Sequence, residues 1–144
     1  MSRAEKRRKQ RENQKKLHPN KLNLEQRTRL QKALDLFKEN ELEKSFLVTT
    51  DLLKEYKLNS QILNLHGVIA TALGNYLEAE KSLKEAVQIS PKNHKFLNNL
   101  GNLHFKQKQY EEALLSFQRA KLNAPDNIQI QINIGQVWEK KRRV

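Results

Sequence analysis

Residues 65–91 read LHGVIATALGNYLEAEKSLKEAVQISP, and residues 99–125 repeat the pattern as NLGNLHFKQKQYEEALLSFQRAKLNAP. A glycine, a tyrosine, two alanines and a proline recur at equal intervals in the two segments. The matched pairs lie 34 residues apart and are Gly67/Gly101, Tyr76/Tyr110, Ala79/Ala113, Ala86/Ala120 and Pro91/Pro125. A fixed period of this length indicates a repeat architecture, in which each unit packs on its neighbours.

The residue types predict two helices in each unit, because small residues allow helices to cross closely. Gly67 and Gly101 would sit in the first helix, and Ala79 and Ala113 in the second, at the crossing point. Large residues there would overpack the crossing at a cost of roughly 1–3 kcal/mol. We expect helices at 60–73, 76–90, 94–107 and 110–123. The remaining structural positions in these units are Tyr76 and Tyr110 at the second-helix starts, Leu83 and Phe117 as filling side chains, and Pro91 and Pro125 as stops.

The 34-residue step also extends in both directions. Backwards it reaches Ala33 and Ser45, which predicts a degenerate first unit with helices near 24–39 and 42–56; Lys57 replaces the closing proline. Forwards it reaches Gly135 within IQIQINIGQVWEKKRRV, residues 128–144. We expect a helix here that caps the apolar end of the last complete unit, with Trp138 as its packing anchor. The alternative is that a longer protein has been cut at this point.

The 34-residue period and the small residues at helix crossings resemble the tetratricopeptide repeat. The resemblance implies an all-α fold, a right-handed solenoid of helix–turn–helix units with a C-terminal capping helix. The units would be residues 26–59, 60–93 and 94–127, followed by a capping half-repeat at 128–144. Solenoids of this kind usually bind other proteins and seldom catalyse reactions.

Composition argues against several other classes. There is no cysteine, so no disulfide or thiolate zinc site is available, and a reducing cytoplasm is permitted. The four histidines, His18, His66, His94 and His104, show no metal-ligand spacing, and the glycines form no phosphate loop. No apolar run approaches the length of a membrane span. We therefore expect a cytoplasmic protein without catalytic residues, cofactor or metal.

The net charge of +12 is concentrated at the two ends of the chain. Residues 1–21 hold nine Lys/Arg and two Glu, and residues 139–144 hold four Lys/Arg and one Glu. The 117 residues between them carry 15 basic and 13 acidic side chains, a net +2. Because residues 1–21 lack an apolar stripe, we expect a disordered basic arm, or a helix formed only on binding, closed by His18, Pro19 and Asn20. Such an arm is either a solubilising tail or a weak contact to nucleic acid or another acidic surface.

Amide side chains repeat with the same period on the first helices. Asn99 and Asn133 share one repeat position, and Asn102 and Gln136 share another. A side-chain amide both donates and accepts hydrogen bonds, so it can bind the backbone of an extended peptide. The predicted peptide-binding groove consists of Asn64, Lys95, Asn98, Asn99, Asn102, Phe105, Lys106, Asn133 and Gln136. The alternative is a solvated helix face, and a core role is open for Phe105.

The NLGN motif at 99–102 is similar to the repeat region of peptide-linked N-acetylglucosamine transferases, where asparagines hold the substrate backbone. The basic start and the degenerate first unit also resemble bacterial repeat-containing glycosyl-, sulfo- and methyltransferases. The pattern departs at Leu65 and Gln31, where the asparagine position holds other residues. The clamp by which chaperone-type repeat domains hold a carboxylate is absent, because Leu30 and Leu34 stand where Lys and Asn are needed.

The sequence thus predicts a protein–protein interaction module that binds an extended peptide or a partner protein in the concave groove of the solenoid. Three forms of this function stay open. The chain is a free-standing adaptor or scaffold, the substrate-recognition part of a longer transferase, or an RNA- or ribosome-associated protein held by its basic arm.

Overall fold

A computed structural model describes residues 1–17 and 21–143, and this part of the chain folds into helices joined by short turns. In chain order the helices are α1 Arg3–Leu17, α2 Leu24–Lys38, α3 Leu42–Glu55, α4 Ser60–Ala72, α5 Tyr76–Ile89, α6 His94–Lys106, α7 Tyr110–Asn123 and α8 Ile128–Arg142. Helices α2 to α7 form three pairs, and each helix packs on the next along the chain, up to α8 on α7. The predicted all-α solenoid with a terminal capping helix is confirmed.

The turn inside each pair has the same backbone shape. Asn40, Gly74 and Lys108 lie 34 residues apart, and each has a positive φ, at 61°, 77° and 60° respectively. The following residue donates its backbone N–H to a carbonyl five positions back, for example Asn75 to Ala70 at 2.9 Å. This left-handed ending stops a helix sharply, and glycine adopts it at the least cost.

The turn between pairs uses a different device. Asn59, Asn93 and Asn127 precede the first helices of successive units, and each side chain accepts hydrogen bonds from backbone N–H groups of the first turn. Asn23 does the same for α2 and forms a capping box with Gln26. An asparagine N-cap satisfies donors that the helix leaves unpaired. These caps explain why the first helices begin where they do.

The crossing inside each complete pair is as close as the small residues predicted. A Cβ placed on Gly67 would lie 2.5 Å from Leu83 Cγ, and one on Gly101 would lie 2.5 Å from Phe117 Cε1. Ala79 and Ala113 are fully buried beside them. Tyr76 packs against the main core cluster, which also contains Ala86 and Ala120, while Pro91 and Pro125 are exposed in the turns.

The degenerate first unit keeps this crossing with other residues. Ala33 and Ser45 are fully buried, and Ser45 Oγ donates a hydrogen bond of 2.6 Å to the Ala33 carbonyl oxygen. The hydroxyl is therefore paired, which removes most of the cost of burying it. Lys57 takes the place of the closing proline, and α3 ends at Glu55.

The terminal helix α8 is held by residues other than the predicted anchor. Ile130 and Val137 are buried against the preceding unit, and Ile134 packs beside them. Trp138 is 50% exposed, with the Lys141 Nζ atom 5.2 Å from its ring centroid. The prediction of Trp138 as packing anchor is wrong, because half of this side chain is exposed while Ile130 and Val137 are buried.

The N-terminal segment, for which a disordered basic arm or a helix formed only on binding was expected, forms helix α1 over residues 3–17. Ser2 Oγ accepts a hydrogen bond from the Glu5 backbone N–H at 3.1 Å, and Arg8 pairs with Glu12 one turn later at 3.4 Å. Lys, Arg, Glu and Gln favour helices even without packing. Among the described residues α1 packs against no other helix, and the proposed closing residues His18, Pro19 and Asn20 lie outside them.

Candidate binding groove

The first helices of the units lie side by side and form one surface of the solenoid, because α2 contacts α4, α4 contacts α6, and α6 contacts α8. A groove of about 670 Å³ opens across α2 and the beginnings of α4 and α6. We call it the α2–α4–α6 groove. It is lined by Arg27, Leu30, Gln31, Leu34, Ser60, Gln61, Asn64, Leu65, Ser90, Asn93, Lys95 and Phe96.

The lining combines apolar contact area with positive charge. Leu30, Leu34 and Leu65 are half-buried, and Phe96 is buried below them. Arg27 and Lys95 are the charged side chains among the described lining residues, and both are exposed and positive. A surface of this kind suits a short peptide that carries apolar side chains and an acidic group.

The predicted amides do form a periodic arrangement, but they bond to one another. Asn99 Nδ2 donates to Asn64 Oδ1 at 2.9 Å, which joins α6 to α4. Asn133 Nδ2 donates to Asn98 Oδ1 at 2.8 Å, which joins α8 to α6. Each pair spans 35 residues rather than the repeat period of 34, because each asparagine bonds to the residue one position before its own equivalent on the preceding first helix. We call these two contacts the amide pairs.

The amide pairs change the expected role of two groove residues. Asn133 is buried, and besides donating to Asn98 it accepts a hydrogen bond from Gln129 Nε2 at 3.0 Å. Half of its hydrogen-bonding capacity is thus used within the protein. Asn133 and Asn99 hold neighbouring units in register, and a peptide backbone would have to compete with these contacts.

The other predicted groove residues are spread along the same surface. Asn64 and Lys95 line the α2–α4–α6 groove, whereas Asn102 is half-buried further along α6. Phe105 packs against Tyr110 with ring centroids 5.8 Å apart, which gives it the core role left open above. Lys106 and Gln136 are exposed outside the groove.

Sequence reasoning missed the contribution of the first unit to the groove. Arg27, Leu30, Gln31 and Leu34 all come from α2. This unit matches the repeat pattern poorly, so the predicted groove residues all came from the later units. The four α2 residues are spaced three or four positions apart along the helix, and this spacing was the available signal that they share one face.

A buried polar cluster joins the first two units behind the groove. His66 Nδ1 lies 2.8 Å from Thr49 Oγ1, and His66 Nε2 lies 3.1 Å from Glu78 Oε1. The ring of Phe46 stacks on the His66 ring with centroids 4.5 Å apart. Burial lowers the pKa of His66 below 6.5, against the opposing effect of the Glu78 carboxylate. The neutral imidazole is therefore the form that the fold favours.

The described residues form neither a metal-binding cluster nor a membrane-spanning helix. None of their His, Asp and Glu side chains gather in a group of three or more that would hold a metal ion. No helix among residues 1–17 and 21–143 is both long and apolar enough to cross a membrane.

The family comparison agrees with the repeat pattern. Residues 70–132 match the family model described as tetratricopeptide repeat. This stretch runs from within α4 to within α8 and includes the whole of the second complete unit. This stretch therefore matches the tetratricopeptide repeat, as the sequence indicated. No curated protein matches the chain significantly.

Solved structures with the same fold include three that represent different settings. The Sgt2 tetratricopeptide-repeat domain from Aspergillus fumigatus is 16% identical, with a TM-score of 0.77, and the match covers 83% of this chain and 81% of that one. The second such domain of human RPAP3, in complex with an HSP70 peptide, is 19% identical, with a TM-score of 0.70 and coverage of 76% and 91%. An O-GlcNAc transferase mutant from Thermobaculum terrenum is 24% identical, with a TM-score of 0.74 and coverage of 78% of this chain but 22% of that one. At these identities the likeness concerns the fold.

Proposed function

We propose that this solenoid of tetratricopeptide repeats is a protein-interaction module that binds an extended, acidic peptide segment of a partner protein in the α2–α4–α6 groove. The observation that carries the proposal is the groove itself, in which Arg27 and Lys95 flank an apolar floor. The human RPAP3 domain with the same fold is in complex with an HSP70 peptide. That complex shows that the fold suits peptide binding, and it supports a similar use here.

The charges and the floor have separate roles in this proposal. Arg27 and Lys95 lie on α2 and α6, so acidic side chains of the peptide would meet a positive charge on either of these helices. The leucines of α2 and α4 would accept the apolar side chains of the peptide. The amide pairs support the groove by holding α4, α6 and α8 together, and they do not themselves need to contact the ligand.

The test is a binding screen against an array of seven-residue peptides that differ in acidic content. We expect the chain to prefer peptides that combine an acidic residue with leucine or methionine. Arg27→Ala combined with Lys95→Ala should weaken this binding about tenfold or more, since a hydrogen bond to a charged group contributes roughly 1.5–3 kcal/mol. Helicity should not change, because both side chains are exposed.

The matched control removes the same two residue types from the opposite side of the solenoid. Arg119 and Lys121 are exposed on α7, outside the groove, and their replacement by alanine should leave binding unchanged. Binding that shows no preference for acidic peptides, or that survives loss of Arg27 and Lys95, would contradict the proposal.

A second candidate function is substrate recognition within a longer transferase. It is favoured by the NLGN motif and by the O-GlcNAc transferase likeness, in which this fold corresponds to 22% of the larger chain. The gene sequence beyond the codon for Val144 tests this candidate, because a continuing frame that encodes a transferase domain is required. The similar domains named above give no support for a nucleic-acid partner, and they assign no partner to the basic helix α1.

A further inference from the structure

Helix α1 carries a row of arginines that the peptide-binding proposal does not use. Arg3, Arg7 and Arg11 follow one another at intervals of four residues, and all three are exposed. Because an α-helix turns by about 100° and rises by about 1.5 Å per residue, they lie along one side of α1 over a length of about 12 Å. We call this surface the arginine ridge.

The two glutamates of α1 do not neutralise the arginine ridge. Glu5 closes the start of the helix, because its carboxylate accepts a hydrogen bond from the Ser2 backbone N–H at 2.8 Å and its own backbone N–H donates to Ser2 Oγ. Glu12 pairs with Arg8 at 3.4 Å. Both glutamates lie roughly 140–160° around the helix from Arg7, the middle of the ridge. Among the described residues the ridge arginines form no ion pair, so their charges are available to a ligand.

The residue types of α1 restrict the kind of partner that it can bind. Its apolar residues are Ala4 and Leu17, and it contains no aromatic residue. A protein–protein interface has an apolar core, and a helix that lies on a membrane has an apolar face. Single-stranded nucleic acid is bound largely by stacking of its bases on aromatic side chains. Helix α1 has none of these features.

The features that α1 does have suit a double-stranded nucleic acid. Protein surfaces that bind duplexes are polar and strongly positive, and they contact a dense, regular array of phosphates. A guanidinium group can bind a phosphate through two parallel hydrogen bonds. We propose that α1 binds a double-stranded nucleic acid through contacts of the arginine ridge to its phosphate backbone, independently of the base sequence.

This site is separate from the α2–α4–α6 groove. Among the described residues α1 contacts no helix of the solenoid, so each site can be altered without the other. The charge is also divided between them. Residues 3–17 hold eight Lys/Arg and two Glu, a net +6, whereas residues 22–138 carry a net +2. Helix α1 therefore supplies most of the attraction to a polyanion, and the two proposals can fail or succeed independently.

The test is a titration of short, fluorescently labelled DNA and RNA duplexes of one sequence with the full chain, followed by fluorescence anisotropy. Both duplexes should bind, because the contacted phosphates are common to them, and the ratio of the two affinities shows which nucleic acid the chain prefers. The logarithm of the affinity should fall with the logarithm of the salt concentration by about 0.9 for each phosphate contacted. Three contacts correspond to a roughly fortyfold loss of affinity between 50 and 200 mM salt.

A triple variant locates the site on α1. Arg3→Gln, Arg7→Gln and Arg11→Gln together should weaken duplex binding at least about tenfold and reduce the salt dependence by the share of about three phosphates. Glutamine favours helices nearly as well as arginine, so circular dichroism should show unchanged helicity. Peptide binding in the α2–α4–α6 groove should also be unchanged, because α1 does not contact it.

The matched control removes the same charge from exposed positions of α5 and α7. Lys81→Gln, Arg119→Gln and Lys121→Gln together should change duplex affinity by less than about twofold, since charges that do not contact the duplex are screened by salt. Equal losses in the two triple variants, or no binding to either duplex at 50 mM salt, would overturn the proposal. Displacement of the duplex by polyglutamate as effectively as by unlabelled duplex would overturn it in favour of an acidic protein. Equally tight binding to phosphatidylserine vesicles would overturn it in favour of a membrane surface.

Discussion

Gly101 and Gly135 occupy the same repeat position, but they lie in different surroundings. Gly101 is buried beneath the ring of Phe117, whereas Gly135 is open to solvent. The interior unit and the terminal half-unit thus share a sequence pattern and differ in what covers it. The comparison teaches that a repeat position predicts local geometry, while the neighbouring helix decides how much free energy the position contributes.

The largest effect should come from removing the side chain over the interior glycine. Phe117 is 1% exposed, and Phe117→Ala should lower the free energy of unfolding by roughly 3–5 kcal/mol through lost burial and a new cavity. Trp138→Ala should lower it by less than about 1 kcal/mol, because half of that side chain is already in solvent. Urea denaturation followed by far-ultraviolet circular dichroism measures both. Equal losses in the two variants would contradict the contrast between the units.

Adding a methyl group to each glycine should change the free energy of unfolding by a smaller amount, and the change should have opposite signs at the two positions. Gly101→Ala places a Cβ against the Phe117 ring and should destabilise the fold by roughly 1–3 kcal/mol. Gly135→Ala meets no other atom and should stabilise it by roughly 0.5–1 kcal/mol, because alanine favours the helix. Thermal unfolding of the two variants against wild type gives the signs. A stabilised Gly101→Ala variant would show that α7 can shift away at little cost.

The smallest effect on the free energy of unfolding should come from a buried histidine whose equivalent in the next unit is a buried leucine. His66 occupies on α4 the position that Leu100 holds on α6, and both are buried. Because burial lowers the pKa of His66 in the folded state, the unfolded chain binds more protons between that pKa and 6.5. The contribution of His66 to the free energy of unfolding is fully present above about pH 6.5. It is lost as the pH falls from there through the lowered pKa of the folded state.

The measurement is the urea midpoint of wild type and of His66→Leu at several pH values between 7.5 and 5. Wild type should lose more stability on acidification than the variant, which carries the leucine of the next unit. His94→Gln serves as a control, since this histidine lies at the start of α6 and is half-exposed. An identical pH dependence in wild type and His66→Leu would remove His66 as the cause.

Much of the fold could be predicted because the repeat is local in sequence. The helices of the second and third units begin at the predicted residues and end within one residue of the predicted ends. Even the first unit was located correctly from Ala33 and Ser45, since the crossing needs small residues whatever their chemistry. The caps at Asn59, Asn93 and Asn127 also repeat every 34 residues, but the sequence analysis did not predict them.

The candidate site was predicted less well, because exposure and pairing depend on neighbouring units. Asn133 and Asn99 have the expected spacing, but their amides bond to Asn98 and Asn64 on the adjacent helices. Arg27 was not predicted as a groove residue, although it lines the same groove as Lys95 once α2, α4 and α6 are side by side. The basic segment 3–17 forms a helix that packs against no other helix among the described residues.

The sequence by itself determined the repeat period, the helix pairs and the crossing residues. These depend on contacts between residues close in the chain, where the size of one side chain limits its neighbour directly. Only the tertiary structure decided which amides pair, which charges share a groove and which glycine face stays open. Those outcomes depend on how one helix is placed against another that is 34 or more residues away in the sequence. The residue types alone do not specify this placement. Trp138 shows the difference, because the sequence placed it correctly on a helix and only the packing of α8 left it half exposed.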